Sequence, residues 1–307
     1  MAKEGVERST PVVETLPKAE VRDMIALRLS HNKILETKKL PTLPTLAYKL
    51  LELLSKDEAE ITELEELIRY DQALTAKVLS IANSAYAGVQ REITSIQRAI
   101  VTLGLKQVNE IAFSICLASV FKPLKSVYTF DVKEFWVHCV ATGFTARIIA
   151  QSLDQEDEDL YFTLGLLHDI GHLLQLHLFP EAFEEVLRRQ EESGRDLLAE
   201  ETDFGLAHTW LGKWLLKRWG LPEQFELVAR HHHHPFLKGK FSFPAGIVKL
   251  ADITVHRLGL SQLPGGQQAE IAPLLGHLGL DEDLYLAIED HLRFLRENIL
   301  ESWANLI

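Results

Sequence analysis

Apolar residues recur with the spacing of amphipathic helices through almost the whole sequence after Leu40. The segment LPTLPTLAYKLLELL, for example, places Leu46, Leu50, Leu53 and Leu54 on one stripe of a helix. An alternation of β-branched and polar residues, as in a strand, does not persist anywhere long enough to form a sheet. The sequence therefore predicts an all-α fold.

The helical pattern is broken in the segment KPLKSVYTFD, Lys122–Asp131. A chain of 307 residues is long for one core and long enough for two. We therefore expect two helical lobes, one on either side of this segment. The expected parts are an N-terminal arm and lead-in helix (1–39), a first lobe (40–125), a second lobe (126–260), and a C-terminal loop with an amphipathic helix (261–307).

Composition and charge exclude several classes of function. The formal net charge of −12 argues against nonspecific binding to nucleic acid or to anionic membranes. No run of 18 apolar residues is present, and the N-terminus has no apolar signal segment. The two cysteines, Cys116 and Cys139, are too few for a disulfide framework. We therefore expect a cytoplasmic protein with neither nucleic acid nor membrane as a partner.

Histidine is the unusual component, with 13 residues, most of them between His138 and His256. The segment LLHDIGHLLQLH sets His168 and Asp169 inside a strip of leucines. A buried carboxylate needs a partner. This pair is therefore expected to bind a metal, to transfer a proton, or to form a hydrogen-bonded structural pair. The residues of this segment alone leave all three alternatives open.

Seven residues, each on a predicted helix or at its end, are candidate metal ligands. Helical proteins build metal centres from inward-pointing side chains of several helices. Imidazole and carboxylate together suit Fe, Mn, Zn or Ni better than Ca. Seven ligands are also enough for a binuclear site, which suits phosphoester hydrolysis. Taken singly, each histidine could instead be a hydrogen-bonded core residue. The candidates are His138, His168, Asp169, His208, His232, His233 and Asp252.

The other histidines give weaker signals. Four consecutive histidines, His231 to His234, cannot all face inward on one helix, so we expect at least one or two of them to be solvated. His172 lies one turn after His168 and either points at the site or hydrogen-bonds nearby. The remaining ones, which we interpret as surface or packing residues, are His177, His256, His277 and His291.

The order of the seven candidates resembles the HD superfamily of metal-dependent phosphohydrolases, in which a His-Asp pair anchors a mono- or binuclear centre. Four further segments are similar to the HDOD domain family, an HD-related output domain of bacterial signalling proteins. They are LPTLPTLAYKLLELL, IRYDQALTAKVLSIANSAYAG, ITSIQRAIVTLGLKQVNEIAFS and FWVHCVATG. The likeness covers roughly Leu40 to Leu258 and keeps the family's motifs in order.

The resemblance implies that the second lobe is an HD-domain-like, metal-binding helical bundle. It matches all seven candidates to the family's ligands, with Asp169 as the catalytic carboxylate that bridges the metals or orients a bound water. Two departures concern the substrate. Related cyclic-di-GMP phosphodiesterases carry a Gly-Tyr-Pro motif after the histidine pair, which HHHHPFLKGKFSFP lacks, and a lysine where this chain has His172. Metal binding is therefore better supported than phosphodiesterase activity.

Many proteins of the HDOD family lack the metal-binding residues and act as regulatory or scaffolding modules. We therefore predict a regulatory, protein-interaction module of bacterial signal transduction that retains an HD-type metal site and has signalling proteins as partners. The alternative is an active metal-dependent phosphohydrolase or phosphodiesterase with a nucleotide or cyclic dinucleotide as ligand. The C-terminal helix carries an apolar stripe, suited either to a homodimer or partner contact or to packing on its own lobe: Leu284, Ile288, Leu292, Leu295 and Ile299.

Overall fold

A computed structural model describes most of the chain between residues 40 and 303. Within the described residues the backbone is helical, and one isolated antiparallel bridge joins Val127 and Phe130. The prediction of an all-α fold is confirmed. The predicted arm and lead-in helix (1–39) lie outside the described residues, which are 40–54, 56, 59–85, 92–236, 239–264 and 269–303.

The helices follow one another through short connections. In chain order they are α1 (Thr45–Leu54), α2 (Ile61–Arg69), α3 (Gln72–Ala85), α4 (Ile96–Leu103), α5 (Leu105–Phe121), α6 (Val132–Ser152), α7 (Glu158–Leu167), α8 (Ile170–Leu178), α9 (Pro180–Ser193), α10 (Leu197–Asp203), α11 (His208–Arg218), α12 (Glu223–His231), α13 (Ser242–Arg257), α14 (Ala272–Leu278) and α15 (Glu282–Trp303).

Helices α1 to α5 pack on one another around α5, which is apolar on most of its surface and is almost wholly buried. The side-chain amide of Asn109 in α5 donates to the Leu50 carbonyl of α1 at 3.0 Å, which ties the two helices together inside the core. Gly104 separates α4 from α5 with a φ of +94°, a backbone conformation that favours glycine.

Helix α6 begins where the pattern-breaking segment ends. The Asp131 carboxylate caps its first turn by accepting from the backbone N–H groups of Lys133 and Glu134 at 2.8 and 3.0 Å. Gly165 of α7 lies directly against Gly143 of α6. A Cβ atom added to Gly165 would lie 2.8 Å from the Cα atom of Gly143. The two helices therefore touch backbone to backbone, which fixes α7 against the middle of α6.

Helix α15 packs against α3 and α6. Ile288 and Leu292 of its apolar stripe are buried in the chain's own core, and Ile299 is partly buried against it, whereas Leu284 is exposed. Most of the apolar surface of this stripe is therefore covered by the chain itself, which is one of the two alternatives expected from the sequence. Among the described helices, none is both long enough and apolar enough to cross a membrane.

Candidate metal centre

The seven predicted ligands come from five separate parts of the fold and meet at one place. His138 lies in α6, His168 and Asp169 join α7 to α8, His208 is the first residue of α11, His232 and His233 follow the end of α12, and Asp252 lies in α13. Six of the seven are buried, and His233 is partly buried. Residues up to 114 sequence positions apart, from His138 to Asp252, thus form one cluster of imidazole and carboxylate groups.

The carboxylate of Asp169 lies at the middle of this cluster. Its Oδ1 atom lies 3.2 Å from His232 Nε2 and 3.4 Å from His208 Nε2. Its Oδ2 atom lies 3.2 Å from His168 Nε2 and 3.7 Å from His138 Nε2. Each oxygen therefore faces its own pair of histidines, which is the arrangement of a carboxylate that can bridge two ions.

Asp252 closes the cluster on the other side of His138. Its Oδ1 atom lies 3.6 Å from His138 Nε2, 3.9 Å from His168 Nε2 and 3.3 Å from His256 Nε2. Its Oδ2 atom accepts from Lys249 Nζ at 3.2 Å. Asp252 thus presents one oxygen to the histidines and the other to a lysine of its own helix.

Hydrogen bonds on the far side of three imidazole rings fix which nitrogen faces the cluster. His168 and His232 each donate Nδ1–H to the carbonyl oxygen three residues earlier in the chain, at 2.6 and 3.0 Å. His208 donates Nδ1–H to Glu201 Oε2 at 2.5 Å. In each ring the lone pair therefore lies on Nε2, directed at Asp169, as in histidines that ligate metals.

Several of these inward-facing atoms have no hydrogen-bond partner within the described part of the chain, although they are fully buried. They are His138 Nε2, His168 Nε2, His232 Nε2 and Asp169 Oδ1. A buried polar atom without a partner is costly. Lone pairs of nitrogen and oxygen aimed at a common point would be satisfied by a cation, so this donor set fits a metal ion.

The electrostatics of the cluster keep its carboxyl groups ionised. Burial alone would raise the pKa of Asp169, but His168 and the close approach of the other neighbouring histidines hold it well below its usual range. The pKa of Asp252 is also well below its usual range, because Lys249 and His256 outweigh the effect of burial. Burial lowers the pKa of His232 to about 4. Ionised carboxylates and neutral imidazoles are the forms that bind metals.

His172 points at the cluster rather than away from it. Its Nδ1 atom lies 2.8 Å from Gln175 Oε1 and 3.2 Å from Glu201 Oε1, and its ring stacks on that of His208 with centroids 4.1 Å apart. Burial would lower its pKa, but the charge of Glu201 raises it to about 9. The raised pKa favours the protonated, positively charged form of His172 beside Glu201.

The sequence did not indicate three residues that contact the cluster. Glu201 is fully buried between His172 and His208. In the sequence, however, nothing distinguishes Glu201 from the other acidic residues of the same helix. Lys249 approaches Asp252 from one turn away. The interpretation of His256 as a surface or packing residue misses its contact with Asp252, although the spacing of four residues on one helix face could have indicated it.

The four consecutive histidines differ in burial, as expected because one helix cannot direct four adjacent side chains inward. His232 is buried, His231 and His233 are partly buried, and His234 is exposed. Of the four, His232 and His233 lie beside Asp169. Within the described residues, four sets of donor atoms lie close enough together to hold an ion. They are Asp169, His208, His232 and His233; His138, His168 and Asp169; His138, Asp252 and His256; and His172, Glu201 and His208.

A helical fold that brings a His-Asp pair, further histidines and a second aspartate to one buried centre defines an HD-type protein. The HDOD domain family matches residues 40–235 of the sequence. The chain belongs to the HDOD domain family.

Solved structures share this fold over almost the whole chain. An HDOD domain protein of unknown function from Geobacter sulfurreducens is 25% identical, with a TM-score of 0.78, over 94% of this chain and 99% of that one. A candidate phosphohydrolase from Shewanella amazonensis SB2B is 22% identical, with a TM-score of 0.71, over 92% and 98%. A candidate signal transduction protein from Marinobacter aquaeolei VT8 is 23% identical, with a TM-score of 0.74, over 94% and 65%.

Two curated relatives are longer than this chain and are uncharacterised. One, from Treponema pallidum (strain Nichols), is 25% identical over 226 residues, which cover 72% of this chain and 43% of the relative. The other, YuxH of Bacillus subtilis (strain 168), is 29% identical over 157 residues, which cover 51% of this chain and 37% of the relative. The chain spans less than half the length of either relative.

Proposed function

We propose that this chain is a regulatory, protein-interaction module of bacterial signal transduction whose His/Asp cluster binds divalent transition metal ions. The observation that carries the proposal is the convergence of buried, unpartnered lone pairs on one point, from His138, His168, His232 and Asp169. A purely structural cluster of histidines would use those atoms in hydrogen bonds to each other or to the backbone.

The cluster offers ligands for two ions that share Asp169. His138, His168 and Asp252 lie on the side of Oδ2, and His208 and His232 lie on the side of Oδ1, with His233 at the edge. Imidazole nitrogen and carboxylate oxygen in these proportions favour Fe, Mn, Zn or Ni over Ca or Mg.

A regulatory role is supported by how little of the cluster reaches solvent. Asp169 and Asp252 are 5% and 4% exposed, and His138, His168 and His232 are at most 1% exposed. A nucleotide would need an opening to reach these groups. The segment after the histidine pair also lacks the Gly-Tyr-Pro motif of related phosphodiesterases. In a module of this kind, the ions stabilise the arrangement of α6, α7, α8, α11, α12 and α13.

A second candidate function, a metal-dependent phosphohydrolase, is favoured by one observation: Asp169 presents a separate oxygen to each of two histidine pairs. When bound at such a site, a pair of ions supplies an activated water and Lewis-acid stabilisation of a phosphoryl group. In this function Asp169 is the central carboxylate that holds the two halves of the site in register. A nucleotide or cyclic dinucleotide is the class of substrate.

Metal content tests the shared part of both functions. Protein purified without added ions is expected to contain about two transition metal ions per chain by elemental analysis, as a shared bridging carboxylate implies. The double variant His168→Ala/Asp169→Ala is expected to lose most of this metal. The matched control is His234→Ala, which removes an exposed histidine of the same segment. Equal metal in the double variant and in the control would rule out a metal centre at Asp169.

A hydrolysis screen separates the two functions. Metal-loaded protein is tested with Mn and with Fe on cyclic dinucleotides, nucleoside phosphates and simple phosphoesters. No turnover above that of the His168→Ala/Asp169→Ala variant is expected for a regulatory module. Turnover that disappears in Asp169→Asn would replace the regulatory assignment with the enzymatic one.

A further inference from the structure

A cleft of about 300 Å³ lies between helices α3, α5, α6 and α15. The described residues that line it include none of the seven predicted metal ligands. Arg147, which lines it, follows His138 by nine residues in α6, which is about 14 Å along the helix axis. A volume of this size is enough for a small molecule. The apolar side chains of the wall include Ile81, Ile111, Phe144, Ile148, Leu295 and Trp303.

Arg147 is the one lysine or arginine among the described residues of the cleft. Its Nη1 atom donates to Glu110 Oε2 at 2.5 Å, and its Cζ atom lies 5.3 Å from the centre of the Phe144 ring, so the guanidinium is held from two sides. A guanidinium carries five N–H donors. Within the described part of the chain, the hydrogen bond and ion pairs of Arg147 involve Nη1 alone. The N–H groups of Nη2 and Nε therefore remain for a ligand.

The charges around Arg147 leave it short of an anion. Burial, only partly offset by Arg147, raises the pKa of the Glu110 carboxyl to about 8, so this carboxyl keeps its proton at neutral pH. The carboxylate of Asp159 forms an ion pair with Lys106, and its Oδ1 atom lies 3.9 Å from Arg147 Nη1. Among the described residues of this group, two cations thus share one ionised carboxylate. An anion in the cleft would restore the balance of charge.

An apolar cleft with one fixed guanidinium suits a ligand that has the two matching parts. The fork of N–H groups on a guanidinium matches the two oxygens of a carboxylate. A carboxylate is costly to bury without such a partner, and a cation in the same place would be repelled by Arg147. The ring of Phe144 meets that of Trp303 edge-on at 6.5 Å. The apolar wall is therefore continuous from the guanidinium to the end of α15, where the apolar part of the ligand can lie.

We propose that this cleft is a binding site for a small apolar carboxylate, with the carboxylate paired to Arg147 and the apolar body packed against Ile111, Ile148 and Leu295. Aliphatic and aromatic acids share the chemistry that the cleft recognises. The site is separate from the His/Asp cluster and does not require a metal ion there. A failure of the proposed metal centre would therefore leave this site unaffected.

The test uses the full chain and decanoate as the probe, below its micelle-forming concentration. Binding is measured by isothermal titration calorimetry for decanoate, decanol and decyltrimethylammonium, which share an alkyl chain and differ in charge. Arg147→Gln removes the guanidinium, whereas Leu295→Glu places a second carboxylate in the cleft and keeps Arg147. The matched control is Phe294→Glu, which introduces the same side chain at the neighbouring residue, 79% exposed and outside the cleft.

Wild type is expected to bind decanoate at least about tenfold more tightly than decanol, the gain typical of a charge-assisted hydrogen bond, and to bind decyltrimethylammonium more weakly still. Arg147→Gln and Leu295→Glu are each expected to weaken decanoate binding about tenfold or more, for the same reason, and Phe294→Glu is expected to match wild type. The proposal is overturned if wild type binds no decanoate, if the three probes bind equally, or if Leu295→Glu binds decanoate as tightly as Phe294→Glu. Urea unfolding shows whether each variant is folded. Should Arg147→Gln be unfolded, the comparison of Leu295→Glu with Phe294→Glu decides.

Trp303 reports whether the ligand lies in the cleft, since it is the one of the five tryptophans that lines it. Decanoate is expected to change the tryptophan fluorescence of wild type, and Trp303→Phe is expected to lose that change while it still binds decanoate. A change of the same size in Trp303→Phe would place the ligand elsewhere and overturn the site.

Two further measurements distinguish what the cleft holds. Titration with phenylbutyrate shows whether aromatic or aliphatic acids bind more tightly, and either result supports the site if Leu295→Glu weakens it. Sedimentation velocity reports the oligomeric state of the same proteins. A wild-type dimer that Leu295→Glu dissociates would assign the cleft to a second copy of the chain and overturn the proposal.

Discussion

A Cβ atom placed on Gly171 would lie 1.9 Å from the backbone carbonyl oxygen of His208. Gly171 follows the His-Asp pair by two residues, and His208 begins α11. Only a residue without a side chain lets α8 and α11 approach so closely. This contact is what brings Asp169 within 3.4 Å of the His208 imidazole, so the glycine of HDIGH acts on the site through the backbone.

Gly171→Ala is therefore expected to lower the free energy of unfolding by about 3 kcal/mol, because overpacking forces the two helices apart. The matched control is Gly276→Ala. Gly276 lies in α14, and a Cβ atom there would meet nothing within 4 Å. That control is expected to stabilise the protein by up to about 1 kcal/mol, since alanine favours a helix. Urea unfolding measures both, and equal stabilities would contradict the contact.

The neighbours His232 and His233 are expected to contribute unequally to metal binding. His232 donates Nδ1–H to the Ala229 carbonyl, which leaves its Nε2 lone pair facing Asp169. His233 accepts from Lys249 at Nδ1, which places its proton on Nε2. A ring with its proton on Nε2 must give that proton up before Nε2 can ligate an ion.

His232→Ala is therefore expected to lose most of the metal on the Oδ1 side of Asp169, whereas His233→Ala keeps most of it. Elemental analysis of the two variants, purified side by side, is the measurement. A greater loss of metal from His233→Ala than from His232→Ala would contradict the assigned proton positions.

The fold and the candidate residues that meet in the cluster were predictable because both leave local signals in the sequence. Helical spacing of apolar residues predicted the all-α fold, and a His-Asp pair among leucines singled out Asp169. The division between inward and outward members of the four histidines follows from helix geometry. His232 is buried and His233 partly buried beside Asp169.

The residues that surround the ligands were not predictable in the same way. Glu201 is one of several acidic residues in α10, and only its contact with His208 distinguishes it from Glu200, which pairs with Arg195. In the sequence, Lys249 cannot be distinguished from a solvated lysine on an amphipathic helix. Its contact with His233 arises only because α13 packs against the end of α12. Such contacts depend on how consecutive helices are oriented across the loops that join them, and periodicity carries no information on that orientation.

Glu201 is expected to act as a positioning residue for His208. It accepts from His208 at Nδ1 and at the backbone N–H, at 2.5 and 3.0 Å, and so fixes both the tautomer and the orientation of the ring. Glu201→Gln keeps the shape of the side chain but removes the charge. Metal affinity, measured by competition with a chelator, is expected to fall about tenfold to a hundredfold.

The control for this substitution is Glu200→Gln, since Glu200 pairs with Arg195 instead of with the cluster. It is expected to keep wild-type affinity. If both variants bind metal equally well, Glu201 has no effect on the ligand beside it. The unfolding free energy of each variant shows whether a change in affinity reflects a general loss of structure.

Glu110 in α5 is expected to make the protein less stable as the pH rises. Burial, only partly offset by Arg147 at 2.5 Å, raises the pKa of its carboxyl to about 8. The folded state therefore holds a proton that the unfolded state has released above its ordinary pKa of 4.5. The stabilisation by this proton is complete below pH 4.5 and is lost as the pH approaches 8.

Relative to Glu110→Gln, which cannot titrate, wild type is expected to lose about 1 kcal/mol of unfolding free energy per pH unit between pH 5 and pH 8. Urea unfolding of both proteins at half-unit steps measures the difference, and all other titrating groups cancel because the two chains share them. Parallel stability curves would show that Arg147 keeps the carboxylate ionised throughout. In that case the loss of the ion pair in Glu110→Gln would appear as a constant offset at every pH, because a buried pair broken on one side leaves the other charge uncompensated.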